Sequence, residues 1–161
     1  MAGVINVTSG NQAILVLGSN AALAVPGAAG SLNVPLVQDL TLTTSPGTVR
    51  YSTLDSTASS AFTTVVENEV SFNMLVDDEV FFGEDGGNLT NQVANVGLWS
   101  TSNSKTEVFF SVAFEGSDSS DYYLTGKGFI GGLAPSASID QAVWISPGTI
   151  TVNGDLTKST V

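Results

Sequence analysis

Apolar side chains recur at every second position in four separate stretches of this chain. A period of two is the signature of an extended strand with one face on a core. In EVSFNMLV, the residues Val70, Phe72, Met74 and Val76 alternate with Glu69, Ser71 and Asn73. In TEVFFSVAFE the apolar set is Val108, Phe110, Val112 and Phe114, opposed by Glu107, Ser111 and Glu115. Leu36, Leu40 and Leu42 share a face in PLVQDLTLT, with Gln38 the exception, while Asp39, Thr41 and Thr43 take the other face. Near the end, Ile150, Val152 and Leu156 alternate with Thr149, Thr151, Asn153 and Asp155. Each pattern suits an antiparallel sheet with one dry and one wet face, and the abundance of Thr and Val agrees. The expected fold is mainly β, an antiparallel β-sandwich or barrel. Its longest strands are expected at Thr106–Glu115 and Tyr122–Ile130.

Clusters of Gly, Pro, Ser and Asn punctuate the alternation (GAAGS, SPGT, DSTASS, EDGGN, STSNSK, EGSDSSD, GGLAPS and SPG) and read as turns. The longest polar break, Asp55, Ser56, Thr57, Ala58, Ser59 and Ser60, reads as a surface loop. One segment departs from the β pattern. In NLTNQVANVG, Leu89, Val93 and Val96 fall at i, i+4 and i+7, Asn88 can cap the start and Gly97 can stop the end. One short helix over about 88–97 is therefore expected beside the sheet. No repeat and no linker divides the 161 residues, so a single domain over 1–161 is expected, with the stretch up to about residue 33 a candidate extended arm.

The side chains available exclude most chemistry. The chain has neither Cys nor His. Disulfides, thiolate nucleophiles, Cys-based zinc sites and the usual general base near neutral pH are all ruled out. No phosphate-binding loop, dinucleotide fingerprint or nucleophile elbow occurs. Neither an enzyme nor a cofactor is expected. The acidic run VDDEVFFGEDGGN holds Asp77, Asp78, Glu79, Glu84 and Asp85, but its spacing does not match a calcium-binding EF-hand loop, so no metal is expected. No carboxylate pair stands out for glycoside hydrolysis either.

Fifteen Asp and Glu face only Arg50, Lys105, Lys127 and Lys158, a formal net charge of −11. Such a surface repels a phosphate backbone rather than gripping it, although acidity also serves plain solubility. The start MAGVINVTSGNQ carries no positive charge, so a secretory leader is not expected, and the apolar runs at Ala13–Gly18 and Ala21–Gly30 fall short of the ~20 residues that span a bilayer. The acceptor patterns at Asn6 and Asn88 read as chance without secretion. Aromatic placement is less bland. Phe109 falls on the polar side of its strand, Phe81 and Phe82 cannot both face one core, and Trp99 and Trp144 sit near element ends. Helix and loop packing could cover them; the alternative is a second surface buried against copies of the same chain.

The order of elements resembles the major tail tube proteins of long-tailed bacteriophages. The resemblance runs from PLVQDLTLTTSPGTVRYSTLD through ENEVSFNMLVDDE, the segment NLTNQVANVG, KTEVFFSVAFEG and DYYLTGKGFIGGLAPS to SIDQAVWISPGTITVNGDL. It implies a β-sandwich flanked by a helix, forming hexameric rings that stack into a tube with a negatively charged channel for DNA passage. It implies a ring-stacking role for the Asp55–Ser60 loop and makes Glu67, Glu69, Glu107 and Glu115 candidate lumen or surface carboxylates. The implied partners are the protein itself and tail terminator, baseplate or tape-measure proteins. DNA would pass without specific binding, and no membrane is involved. The implied location is the virion tail, after assembly in the host cytoplasm. A capsid decoration protein or another small virion protein is the alternative, and a calcium- or glycan-binding β-sandwich module is a further one.

Overall fold

The four alternating stretches fall in four of the nine strands that the computed structural model shows among the residues it describes, which are 9–26, 28–34, 37–52, 58–83, 92–115 and 122–160. The strands are β1 (Ser9–Gly18), β2 (Leu32–Asn33), β3 (Val37–Tyr51), β4 (Ser60–Leu75), β5 (Glu107–Glu115), β6 (Tyr122–Gly131), β7 (Ser136–Ser138), β8 (Gln141–Val152) and β9 (Thr157–Thr160). All belong to one antiparallel sheet in the order β2-β1-β5-β6-β8-β4-β3, with β7 added to β8 and β9 to β6. Although β1 and β3 lie near opposite ends of that order, they approach each other, so the sheet curls back on itself in the manner of a barrel. Part of the candidate N-terminal arm, Ser9–Gly18, is a strand of this sheet.

The inward side chains are those the alternation named. Val70, Phe72 and Met74 of β4, Val108, Phe110 and Val112 of β5, and Ile150 of β8 are buried in one cluster. Leu15 and Leu17 of β1, Val34, Ile130 of β6, and Phe81, Val93 and Leu98 from the segments between β4 and β5 belong to the same cluster. Burying each of these large side chains contributes about 1.5–3 kcal/mol relative to exposure. Two of the phenylalanines lie across glycines on the neighbouring strand. Phe72 pairs with Gly148 and Phe110 with Gly126, and a Cβ at either glycine would run into the ring opposite. Those glycines leave room for flat rings inside a tightly curled sheet.

Two helices are present among the described residues. α1 (Asp78–Phe82) follows β4 directly, and α2 (Gln92–Asn103) precedes β5. The single helix expected over about 88–97 is displaced: it begins at Gln92 within the described residues and runs on to Asn103. Asn88, the expected cap, lies outside them. Gly97 does interrupt the helix, at φ 76 and ψ 166, but it acts as a kink and not a stop. Beyond the kink, the Thr101 hydroxyl donates to the Gly97 carbonyl at 2.7 Å. Ser102 then ties α2 to the sheet by donating to the carbonyl of Ile130 at 2.9 Å. The unforeseen α1 is capped by Asp77, whose carboxylate accepts from the Val80 amide. It buries Phe81 and leaves Phe82 outside, as the adjacency of the two rings requires.

Strand lengths differ from expectation in one respect. β5 and β6 lie where the alternation places them, with 9 and 10 residues, but the longest strands are β3 and β4, with 15 and 16. The extra length is the stretch from Thr43 to Tyr51 paired with Ser60 to Glu69. Almost every residue there is exposed, so neither face imposes the alternation by which a strand is recognised.

Candidate functional site: an acidic sheet face and a projecting arm

Register fixes what the second face of the sheet carries. Val70 pairs with Ile150 and Leu42 with Val70 on the core side, so the next residues, Glu69, Thr151 and Thr43, stand together on the other side. Thr151 in turn pairs with Phe129, and Phe129 with Glu107. One row of this face therefore reads Thr43, Glu69, Thr151, Phe129 and Glu107 across five strands. Glu67 sits two residues along β4 from Glu69, opposite Ser45. Asp39 joins the face opposite Asn73, whose amide donates to it at 3.4 Å. An open groove of about 750 Å³ runs over this surface, lined by Glu67, Glu69, Asp155, Thr43, Thr151 and Asn153 among others.

Three of the four carboxylates singled out from the sequence are thus brought onto one face: Glu67, Glu69 and Glu107. Glu115 ends β5, and its side chain lies outside those described. Asp39 and Asp155 belong with the set and were not singled out. The alternation that assigned Leu40 and Leu42 inward carried the signal for Asp39, because it set Asp39 on the wet face.

Lys127 is the one cation that the register puts on this face among the described residues. Its ammonium lies 3.4 Å from Oε2 of Glu107, while the Asn153 side-chain amide donates to Oε1 at 2.6 Å. The Asn153 bond, helped by Lys127, holds the Glu107 carboxyl below the usual glutamate range against the opposing effect of burial. The Asn153 backbone also donates to the Lys127 carbonyl at 2.7 Å. Glu107 is therefore a fixed, neutralised member of the set, and Asp39, Glu67 and Glu69 have no cation beside them on this face.

The outer halves of β3 and β4 extend past the core as a two-stranded arm. Its register shifts between Pro46/Val66 and Thr48/Thr63, which leaves one extra residue on β4, a bulge. Beyond it, Val49 pairs with Phe62 and Arg50 with Ala61. The two faces of the arm consequently differ. Val49, Tyr51 and Phe62 share one, with the Tyr51 and Phe62 rings 6.2 Å apart, and Arg50, Ala61, Thr63 and Val66 share the other. Of the loop residues singled out from the sequence, Asp55, Ser56 and Thr57 lie outside the described residues. Ala58, Ser59 and Ser60 are exposed at the arm's end, and Ser60 is already paired with Tyr51.

Two apolar patches lie toward the opposite end of β4. Phe82 is 61% exposed and Trp99 45%, and both rings contact the buried Phe81, at 5.0 and 5.8 Å. Val143 and Trp144 are exposed near the start of β8, beside the Ile139–Asp140 turn. Of the acidic run, Glu84 and Asp85 lie outside the described residues. Asp77 and Asp78 accept from the amides of Val80 and Glu79, and no three metal-ligating side chains converge among the described residues. No helix among the described residues is long and apolar enough to cross a membrane.

No protein-family model matches the chain, and no curated protein matches it in sequence. Solved structures do match in fold. One is the SPP1 tail tube determined by solid-state NMR and cryo-EM, at a TM-score of 0.64 and 13% identity over 95% of this chain and 79% of that one. Another is the tail of an empty GTA particle refined with C6 symmetry, at a TM-score of 0.61 and 12% identity over 95% of this chain and 99% of that one. The resemblance read from the order of elements holds at the level of fold: this chain has the architecture of a phage tail tube subunit.

Proposed function

We propose that this protein is a structural, non-enzymatic subunit of a phage tail tube, six copies closing a ring and rings stacking around a channel that DNA crosses during ejection. The observation that carries this reading is the acidic sheet face. Asp39, Glu67 and Glu69 stand in the open on one surface beside Thr and Ser, with a single cation already committed to Glu107. Lining a channel with that face would put carboxylates toward the DNA phosphates from every side. Repulsion within about 8 Å of the wall at physiological salt keeps the duplex from sticking, so it slides.

Ring closure has a physical basis in the sheet's ends. Among the described residues β3 is hydrogen-bonded to β4 alone, and the part of its other edge beyond the reach of β1 offers backbone donors and acceptors. At the other end of the order, β2 covers β1 only at Val16 and Leu17. Two different edges on one subunit make a head-to-tail contact, which closes into a ring when the rotation allows. The C6 symmetry of the GTA tail supports six copies per ring. The arm, with the Asp55–Ser60 loop at its end, is the element suited to reach the next ring. Tail terminator, baseplate and tape-measure proteins are the partners such a tube requires, and the virion tail, assembled in the host cytoplasm, is its location.

Electron microscopy of the purified chain tests the reading. Hollow tubes or six-fold rings of constant diameter are expected. Monomers or trimers that coat capsids would instead assign the chain to capsid decoration.

A further inference from the structure

We propose that the arm of one copy seats on the α1–α2 aromatic patch of a second copy, with Arg50 of the arm set against Asp78 and Glu79 of α1. This rests on the tail-tube reading and names the two surfaces that meet.

The arm is too exposed to be finished as it stands. A two-stranded ribbon is marginal by itself in water, yet this one shows apolar side chains on both faces, with Val65 83% and Phe62 52% exposed. The α1–α2 patch has the same character: Phe82, Trp99 and Val96 are open to solvent around the buried Phe81. Each surface is apolar, and each is left open by the described residues.

Charge selects the pairing. Copies carrying −11 each repel, so a contact between them forms where one of the few cations meets carboxylates. Lys127 is held by Glu107, Lys158 lies 4.4 Å above the Tyr122 ring, and Lys105 stands in the turn after α2, on the receiving helix pair and not on the arm. Arg50 is the cation the arm carries, on the face it shares with Ala61 and Val66. On α1, Asp78 and Glu79 precede Phe82 by four and three residues, which puts both carboxylates on the aromatic's side of the helix. Arginine is suited to that combination because its flat guanidinium both pairs with a carboxylate and stacks on an aromatic face. The Ile139, Val143 and Trp144 patch offers only Asp140.

Position agrees with charge. The arm's β4 end is Ser60, and α1 begins three residues after β4 ends at Leu75, so the donor and acceptor surfaces sit at opposite ends of a 16-residue strand. A contact between different surfaces leaves both free after each addition and propagates.

Charge reversal in the full chain tests this, read by sedimentation and electron microscopy, with circular dichroism confirming the fold. Arg50→Glu and Glu79→Arg should each raise the concentration needed for assembly by roughly tenfold, and the double variant should restore it. Because the chain has no cysteine, mixed Ala61→Cys and Trp99→Cys proteins should give disulfide-linked dimers on oxidation. Unchanged assembly of Arg50→Glu, no rescue by the double variant, or cross-linking of Ala61→Cys to Trp144→Cys in place of Trp99→Cys would overturn the pairing while tubes still form. Failure of the unaltered chain to form any ordered assembly would remove both the pairing and the tail-tube reading.

Discussion

Gly97 and Gly83 meet backbone to backbone where α2 crosses the end of α1. A Cβ on Gly97 would run into the carbonyl carbon of Phe82 and the amide of Gly83, and a Cβ on Gly83 would run into Asn95 and Val96. Both residues also have positive φ, 76 and 96, which side chains rarely adopt. The contact lets α1 lie close enough to α2 for Phe81 to be buried beneath both helices, and it sets Phe82 and Trp99 around it.

Gly97→Ala should therefore destabilise the fold by about 1–3 kcal/mol, adding backbone strain to a steric clash. Urea denaturation measures it. Gly131→Ala is the matched control, because a Cβ there meets nothing within 4 Å, and it should stay within about 0.5 kcal/mol of the parent.

Glu107 makes stability depend on pH in a defined direction. Its carboxyl titrates below the usual range when folded, chiefly through the Asn153 amide and then Lys127. The stabilisation is thus present above the unfolded carboxyl's pKa and is lost as pH falls through the lower folded value. Glu107→Gln should lower the urea midpoint at neutral pH, and the gap from the parent should close on acidification. A gap that persists in acid would assign the effect to packing.

Reversing the acidic face separates assembly from passage. Glu67 and Glu69 are exposed and outside the core, so Glu67→Lys with Glu69→Lys should leave the fold intact. Assembled double-variant tubes should retain duplex DNA at least ~10-fold more tightly than the parent at low salt, with the difference shrinking as salt rises. Gel retardation across a salt series reads it.

The arm should matter for assembly and little for the subunit. Val66→Ser with Ala61→Ser removes exposed apolar surface from the arm's Arg50 face, so the monomer's stability should change by no more than ~1 kcal/mol. Tube formation should fall sharply. Parallel melting curves and sedimentation distinguish this outcome from general unfolding.

The sequence was informative wherever a strand has one dry face. Val70, Phe72, Met74, Val108, Phe110, Val112 and Ile150 were legible as core residues, and the same alternation put Glu69, Glu107 and Asp39 on the wet side. It was silent along Thr43–Tyr51 and Ser60–Glu67, where both faces are wet and nothing selects a period of two. It also misjudged Gly97, because a glycine that ends a helix and one that kinks it look alike until the residue packed against it is known.

What the sequence by itself determined was the class: antiparallel β, with a core, a strongly acidic surface and no histidine or cysteine for chemistry. These follow from local periodicity and from which side chains exist, and neither depends on distant partners. The tertiary structure alone decided that Glu67, Glu69 and Glu107 share one face, that β3 and β4 run on into an arm, and that Arg50 and the Phe82–Trp99 patch lie toward opposite ends of β4. Each of those depends on strand order and register between residues far apart in the chain, and hydrophobic alternation constrains which face a residue takes without naming the strand beside it.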